Sequence, residues 1–231
     1  MRGELKIAVA QPKCVSHDVA ANAVEHARAV REARARVVVF PELSLTGYEL
    51  DAEVVAPDDA RLRPIVDACA QTGALALVGA PVPGPWIACL GVDGTGASVV
   101  YRKVCLYGAE ADLFRVGEHA VIEVDGWRLG LAYCRDTGIA EHAARTAELG
   151  MDGYVSGVVH DADHESELHG ERARRVASDH GVWVATAAFA GPTGGGFDRT
   201  SGRSGIWSAT GELLAEAGSA PGDLVCHTFV D

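Results

Sequence analysis

The first forty residues constrain the architecture most. Leu5-Lys-Ile-Ala-Val-Ala-Gln11 is an apolar run stopped by Pro12, and it reads as a buried strand. Asp18 to about Ala35 is rich in alanine, with Val19, Ala23, Val24, Ala27 and Val30 near helical spacing, which predicts a helix. Val37 to Phe40 is the next strand. A strand, a helix and a strand in that order predict a parallel pair joined by a crossover helix.

The rest of the chain adds one more strand–helix unit and then changes rhythm. Asp58-Asp59 can cap a helix running to Gln71 and closed by Gly73, with Pro64 near its first turn, and Ala74 to Gly79 is a strand. Trp86 to Val92 and Ser98 to Arg102 flank the turn Asp93-Gly-Thr-Gly96, which predicts a hairpin. Val121 to Val124 and Trp127 to Tyr133, around Asp125-Gly126, predict a second. Residues 104–119 between them read as an irregular loop. Helices are expected over 141–149 and 165–180, and strands at 154–155 and 182–188. Gly191 to Gly205, rich in Gly, Ser and Thr, reads as a mobile surface loop. A third hairpin pairs Gly205-Ile-Trp with Glu212-Leu-Leu-Ala, and Asp223 to Val230 is an edge strand or an arm. Strand–helix units mixed with hairpins predict an α/β chain with mixed sheets covered by helices, in one domain over residues 1–231.

Composition narrows the function by exclusion. A net charge of −12, from 20 basic and 32 acidic residues, argues against a nucleic-acid footprint or an anionic membrane surface. No run of about 18 apolar residues suggests a membrane span, and Met1-Arg-Gly-Glu-Leu-Lys leads straight into a strand without a signal-peptide core. The six cysteines are scattered and form no CxxC pair, so a zinc knuckle is not supported. Free thiols in a reducing cytoplasm are the expectation.

Three reactive residues each end a strand-like run: Glu42 after Val37-Val-Val-Phe-Pro, Lys103 after Val99-Val-Tyr-Arg, and Cys134 after Leu129-Gly-Leu-Ala-Tyr. A thiol is a nucleophile only as thiolate and needs a base or a positive field nearby. A partly desolvated glutamate can be that base, and an ammonium can hold the oxyanion of acyl transfer. Cys134-Arg-Asp-Thr-Gly138 precedes a helix expected near Ala140–Glu141, which resembles an elbow that exposes the nucleophile. Taken singly, each residue has a simpler explanation: a buried small thiol, a solvated strand end, a turn carboxylate. Their joint occurrence in these contexts favours chemistry.

The sequence resembles the nitrilase (carbon–nitrogen hydrolase) superfamily. The resemblance rests on Lys6-Ile-Ala-Val-Ala-Gln11, Phe40-Pro-Glu-Leu-Ser-Leu-Thr-Gly-Tyr48, Tyr101-Arg-Lys103, Gly130-Leu-Ala-Tyr-Cys134-Arg-Asp136 and the 205–215 hairpin. It implies a four-layer α-β-β-α sandwich with two mixed β-sheets, a Glu42–Lys103–Cys134 triad, a homodimer or larger assembly, and no metal or organic cofactor. It also implies a supporting role for Glu110, with Glu118 the weaker candidate. The chain departs from the family at Arg135, where an aromatic residue is frequent, at Cys105, where amidase members often have histidine, and at Ile139-Ala-Glu141, where Phe-Pro-Glu is familiar. Nitrile hydrolysis is disfavoured, because the nucleophile lacks a following Trp-Glu.

Among other candidates, His160 and His164 would share a helical face with Asp161, Asp163 and Glu165 nearby, but the spacing is not HExxH. A solvated acidic helix start explains that stretch more simply, with His160 near the substrate pocket. Gly194-Gly-Gly196 is no phosphate loop, since no GK[ST] follows. Arg135 can grip a substrate carboxylate or pair with a nearby acid, and Tyr48 is a further substrate contact. The expected partner is a small-molecule amide or N-carbamoyl substrate. The alternative is a catalytically degenerate member serving as a binding or scaffold subunit, and a metal hydrolase on His160 and His164 ranks third.

Overall fold

The computed structural model describes residues 2–231. Strand β1 (Leu5–Ala10) leads to helix α1 (Val19–Ala33), whose first turn is capped by Asp18 Oδ1 accepting from Ala21 N at 2.9 Å. Strand β2 (Val37–Val39) follows, then a 3-10 turn at Ala60–Leu62 capped by Asp59, and helix α2 (Arg63–Thr72), which ends on Gly73 in the left-handed region. Strands β3 (Leu75–Val82), β4 (Trp86–Asp93) and β5 (Gly96–Arg102) complete the first half. Helix α3 (Ala109–Leu113) precedes β6 (Val121–Val124) and β7 (Trp127–Tyr133). Helices α4 (Arg135–Gly138) and α5 (Ala140–Glu148), strand β8 (Gly153–Val158), helix α6 (Leu168–His180) and strand β9 (Trp183–Ala188) follow. Five short strands close the chain: β10 (Ala190–Gly191), β11 (Thr200–Ser201), β12 (Gly205–Trp207), β13 (Leu213–Glu216) and β14 (Leu224–Phe229).

Two six-stranded mixed sheets result, ordered β14-β1-β2-β3-β4-β5 and β13-β12-β9-β8-β7-β6. The opening β1–α1–β2 unit is parallel, as its order requires, and the tail is an antiparallel edge strand on β1 rather than an arm. Side-chain alternation assigns the layers. Leu5, Ile7, Val9, Val37 and Val39 enter the core between the sheets, where Leu129, Leu131, Tyr133, Val155 and Trp183 meet them. Ala8, Ala10 and Val38 face the other way, onto α1 and α2. Ala132, Tyr154 and Val184 face Ala173, Val176 and Ala177 of α6. Both faces of the central strands are covered, which is why their sequences are continuous apolar runs rather than alternating ones. The result is the α-β-β-α sandwich.

Three local readings are corrected. Residues 104–119 are not wholly irregular: Ala109–Leu113 forms a helical turn that buries Glu110. The helix expected from Glu165 begins at Leu168, because Asp161 Oδ1 accepts from the backbone N–H groups of Asp163 and His164 and holds that stretch in turns. The 191–205 segment is anchored rather than loose. It contains the β10–β11 pair, buries Thr200, Ser201 and Ser204, and donates Gly194 N to Gly47 O at 2.6 Å.

Among the described residues, no helix is long and apolar enough to cross a membrane, and all six cysteines are free thiols.

Candidate active site

The two sheets converge on the segment that carries Glu42. A Cβ at Gly79 of β3 would lie 2.3 Å from Leu43 N, and one at Gly157 of β8 would lie 2.6 Å from Phe40 O and 2.7 Å from Glu42 N. Both glycines have ordinary φ, so they are there for room: one from each sheet lets the Phe40–Leu43 backbone pass between them. Leu43 itself sits at φ 53, a strained conformation for a branched side chain. Gly157→Ala is therefore expected to push the Glu42 backbone aside. It should lower kcat/KM by about 100-fold and stability by about 1–3 kcal/mol, read by steady-state kinetics and urea unfolding. Unchanged kinetics would show that the clamp does not position Glu42.

Lys103 leaves the end of β5 and is 1% exposed; Glu42 is 0% exposed. Lys103 Nζ lies 2.8 Å from Glu42 Oε1 as an ion pair, without the alignment of a hydrogen bond. It donates to both Oε1 and Oε2 of Glu110 at 2.8 Å. Glu110 also accepts from Tyr48 Oη at 3.0 Å and from Tyr107 N at 3.1 Å. One buried ammonium thus bridges two carboxylates, and only Glu110 is fully hydrogen-bonded. Burial pushes the Glu42 carboxyl up to about 8, against the pull of Lys103 and with help from Glu110. Burial disfavours the charge on Lys103, but Glu42, Cys134 and Glu110 outweigh it and hold its pKa above the ordinary value.

Cys134 stands between β7 and α4 with φ 36 and ψ −94. This is strained for a residue with a Cβ, and it fits the elbow reading, although the helix starts at once at Arg135 rather than near Ala140. Its N–H donates to Gly157 O at 2.9 Å and its Sγ to Val159 O at 3.4 Å. Burial and then Glu42 push the thiol up to about 12, with Lys103 opposing them.

Asp136, buried, ties this elbow to the lysine loop. It accepts from Tyr133 N at 2.8 Å, Tyr101 Oη at 2.6 Å and Cys105 N at 2.7 Å. Tyr101 is two residues before Lys103, and Cys105 two after, so the ammonium and the thiol are held to one frame.

These groups open into a cavity of about 250 Å³ lined by Lys103, Glu110, Cys134, Tyr48, His160 and Arg172, among others. Glu42 lies behind that lining. Arg135 is at the rim, its guanidinium 5.1 Å from the Tyr107 ring centroid, and among the described residues no carboxylate pairs with it. Tyr48 is wedged edge-on between Phe189 and Phe197, at 6.4 and 5.6 Å. Glu118 is elsewhere, in a larger groove of about 430 Å³ with Trp86 and His119 that contains no thiol.

His160 and His164 do not share a helical face. His160 follows β8 and is buried, stacked on His169 at 5.7 Å, while His164 is exposed. Burial holds His160 down at about 3, so it is neutral. The one metal-like cluster among the described residues is elsewhere, where His17, Glu49 and Asp51 meet at the surface. Sequence reasoning missed Arg172 and Asp136. Asp136 carried a weak signal by lying two residues after the nucleophile; Arg172, on α6, carried none.

The carbon–nitrogen hydrolase family model matches residues 6–228. The chain is 32% identical over 149 residues to the hydrolase in the pqqF 5' region of Pseudomonas protegens, covering 58% of this chain and 52% of that protein. It is 29% identical over 196 residues to the glutamine-dependent NAD(+) synthetase of Xanthomonas campestris pv. campestris, covering 74% of this chain and 33% of that protein. The chain thus spans about half the length of the first relative and a third of the second. In structure it is similar to Saccharomyces cerevisiae Nit3, a member of branch 10 of the nitrilase superfamily (TM-score 0.85, 20% identity, 98% of this chain and 90% of that chain). It is also similar to a mutant of the amidase from Nesterenkonia sp. AN1 with the acetamide moiety of fluoroacetamide added at its active-site cysteine (TM-score 0.85, 26% identity, 98% of this chain and 90% of that chain). By its sequence over nearly its whole length, and by a fold it shares with the nitrilase superfamily, this chain belongs to the carbon–nitrogen hydrolase family.

Proposed function

We propose that this protein hydrolyses a small linear amide or N-carbamoyl compound, not a peptide bond, through a thioester on Cys134. The observation that carries the reading is the buried Glu42–Lys103–Glu110 ion cluster behind a strained thiol, opening into a cavity of about 250 Å³. A cavity of that size suits a substrate of few heavy atoms.

Glu42 takes the proton from Cys134 as the sulfur attacks the carbonyl. The oxyanion is held by the Lys103 ammonium and the backbone N–H near Arg135. Glu42 passes its proton to the departing nitrogen and the C–N bond breaks, leaving the acyl group on sulfur. A water that gives its proton to Glu42 then attacks the thioester, and the thiol recovers a proton as the acid or carbamate leaves. Glu110 keeps the ammonium oriented, with Tyr48 and Tyr107 N fixing the carboxylate in turn. Covalent capture at the cysteine of the Nesterenkonia amidase supports a nucleophilic role for the sulfur here.

A panel of short ω-amides and N-carbamoyl compounds tests the reading, with ammonia release as readout and mass spectrometry for an acyl adduct on Cys134. Ammonia with an adduct on Cys134 is expected; neither, across the panel, would sink it and favour a binding subunit.

The pH dependence follows from Glu42. The base is protonated below its pKa of about 8, so kcat/KM rises with pH along a limb centred near there. Stability moves the opposite way. The folded pKa lies above the ordinary carboxyl value of about 4.5, so this contribution is full below about 4.5 and is lost as pH rises through about 8. Glu42→Gln removes the ionisation, so its stability relative to wild type should improve between pH 5 and pH 9 in urea unfolding. A flat pH–rate profile over this range would exclude Glu42 as the base.

A further inference from the structure

We propose that the substrate carries a carboxylate seated on the Arg172 guanidinium, with Arg135 and His160 as neighbouring donors; this deepens, and rests on, the hydrolase reading of the same cavity. Arg172 reaches the cavity from α6 and is half-buried. Its Nη1 makes three long contacts: to Cys134 O at 3.3 Å, Thr137 Oγ1 at 3.3 Å and His160 Nε2 at 3.4 Å. Its Nε and Nη2 have no acceptor among the described residues, and no carboxylate pairs with it. Of the two other cations that line the cavity, Lys103 is held by two carboxylates and Arg135 lies over the Tyr107 ring. Glu165 also lines the cavity, but its Oε2 accepts from Asp161 N at 3.3 Å instead of meeting Arg172.

A half-buried guanidinium without a counter-ion is costly, and a chain of net charge −12 has many acids that could have relieved it. The room for it is built in. A Cβ at residue 138 would stand 3.0 Å from Arg172 Cζ, 3.1 Å from Nη2 and 3.2 Å from Nε, so Gly138 lets the guanidinium lie against the α4 backbone. Gly138 has no positive φ to explain the glycine otherwise. His160 adds a second donor. Its Nε2 accepts from Arg172, which places its proton on Nδ1, and Nδ1 is buried with no partner. Because Arg172 Nη1 bonds to the carbonyl of Cys134 itself, the guanidinium is fixed beside the residue that carries the thiol. A planar carboxylate can accept from Nε and Nη2 together, the bidentate geometry a guanidinium favours.

The test does not depend on turnover. Iodoacetamide and iodoacetate are close in size and alkylate a thiolate alike: sulfur forms a bond to the CH2 carbon and iodide leaves with the bonding pair. The rate ratio of iodoacetate to iodoacetamide is measured at Cys134 by peptide mass spectrometry and compared with the ratio for mercaptoethanol. We expect the ratio at Cys134 to exceed the free-thiol ratio by about tenfold or more. Arg172→Gln should bring it back at least about fivefold, while Arg172→Lys, which keeps a cation but loses the bidentate fork, should retain only part of the preference. Gly138→Ala, which displaces the guanidinium without removing it, should lower the ratio less. A wild-type ratio at or below that of mercaptoethanol, or one unchanged in both R172Q and G138A, overturns the proposal. If the hydrolase reading alone is wrong, the alkylation preference persists while the amide panel releases no ammonia.

Discussion

Cys134→Ala is expected to lower turnover by at least about a thousandfold while the protein stays folded. On the proposed mechanism the sulfur forms the acyl bond, so a residual rate would come from binding and the oxyanion donors alone. The structural cost is small, because Sγ makes a single long contact, to Val159 O at 3.4 Å. Alanine keeps a Cβ at φ 36, so the strain of the elbow persists and melting should shift by no more than a few degrees. Ammonia release and thermal unfolding of the same preparation check both halves. Turnover near the wild-type rate in a folded C134A protein would remove the thiol from the mechanism. The Lys103–Glu110 contacts do not involve the sulfur, so the variant should also preserve the cavity for substrate-binding measurements.

The second large effect is on stability as well as rate. Lys103→Met leaves the Glu42 and Glu110 carboxylates in a buried space without the cation they share. Removing one partner of a buried ion cluster costs about 3–5 kcal/mol, because the remaining charges are neither solvated nor paired. The loss is pH-dependent with a definite sign. Without the ammonium, Glu42 is held even further above the ordinary carboxylate range, so the deficit should grow as pH rises through about 8, where wild-type Glu42 ionises, and should be smallest below it, where Glu42 is protonated in both proteins. Urea unfolding at pH 5.5 and pH 8.5 reads this difference. Combining K103M with Glu110→Gln removes one of the two stranded charges and should recover part of the stability without restoring turnover. Equal stability of K103M and wild type at pH 8.5 would mean that the cluster is not the charged array described above.

Much of the fold is legible in the chain because its signals are local. The β1–α1–β2 unit follows from two apolar runs around a helix-period stretch, and its parallel pairing follows from the length of the crossover. The hairpins follow from Asp93-Gly-Thr-Gly96 and Asp125-Gly126, where the turn residues fix the partners. The readings that failed also have local reasons. Glu165 opens a helical pattern, but the Asp161 side chain caps the preceding turns first. The Gly-rich 191–205 stretch has the composition of a mobile loop, yet its backbone is held by Gly47 O, a partner nearly 150 residues away in the chain. The histidine pair failed because His160 leaves a strand end, where helical spacing has no meaning.

By itself, then, the sequence determined which elements form and which three side chains end strands, because periodicity, turn chemistry and flanking residues act over a few positions. It could place Glu42, Lys103 and Cys134 in one site only through resemblance. The tertiary structure alone decided the electrostatics. Glu42 is a raised-pKa group because two glycines from different sheets hold its backbone in the inter-sheet core, and Lys103 keeps its charge there because Glu42, and Glu110 folding back from its helix, lie against it. It also decided that Arg172, absent from every motif, enters the cavity over Gly138 without a counter-ion. Desolvation and ion pairing depend on what packs within a few ångströms, and these partners are brought together from distant parts of the chain by the folding of the two sheets.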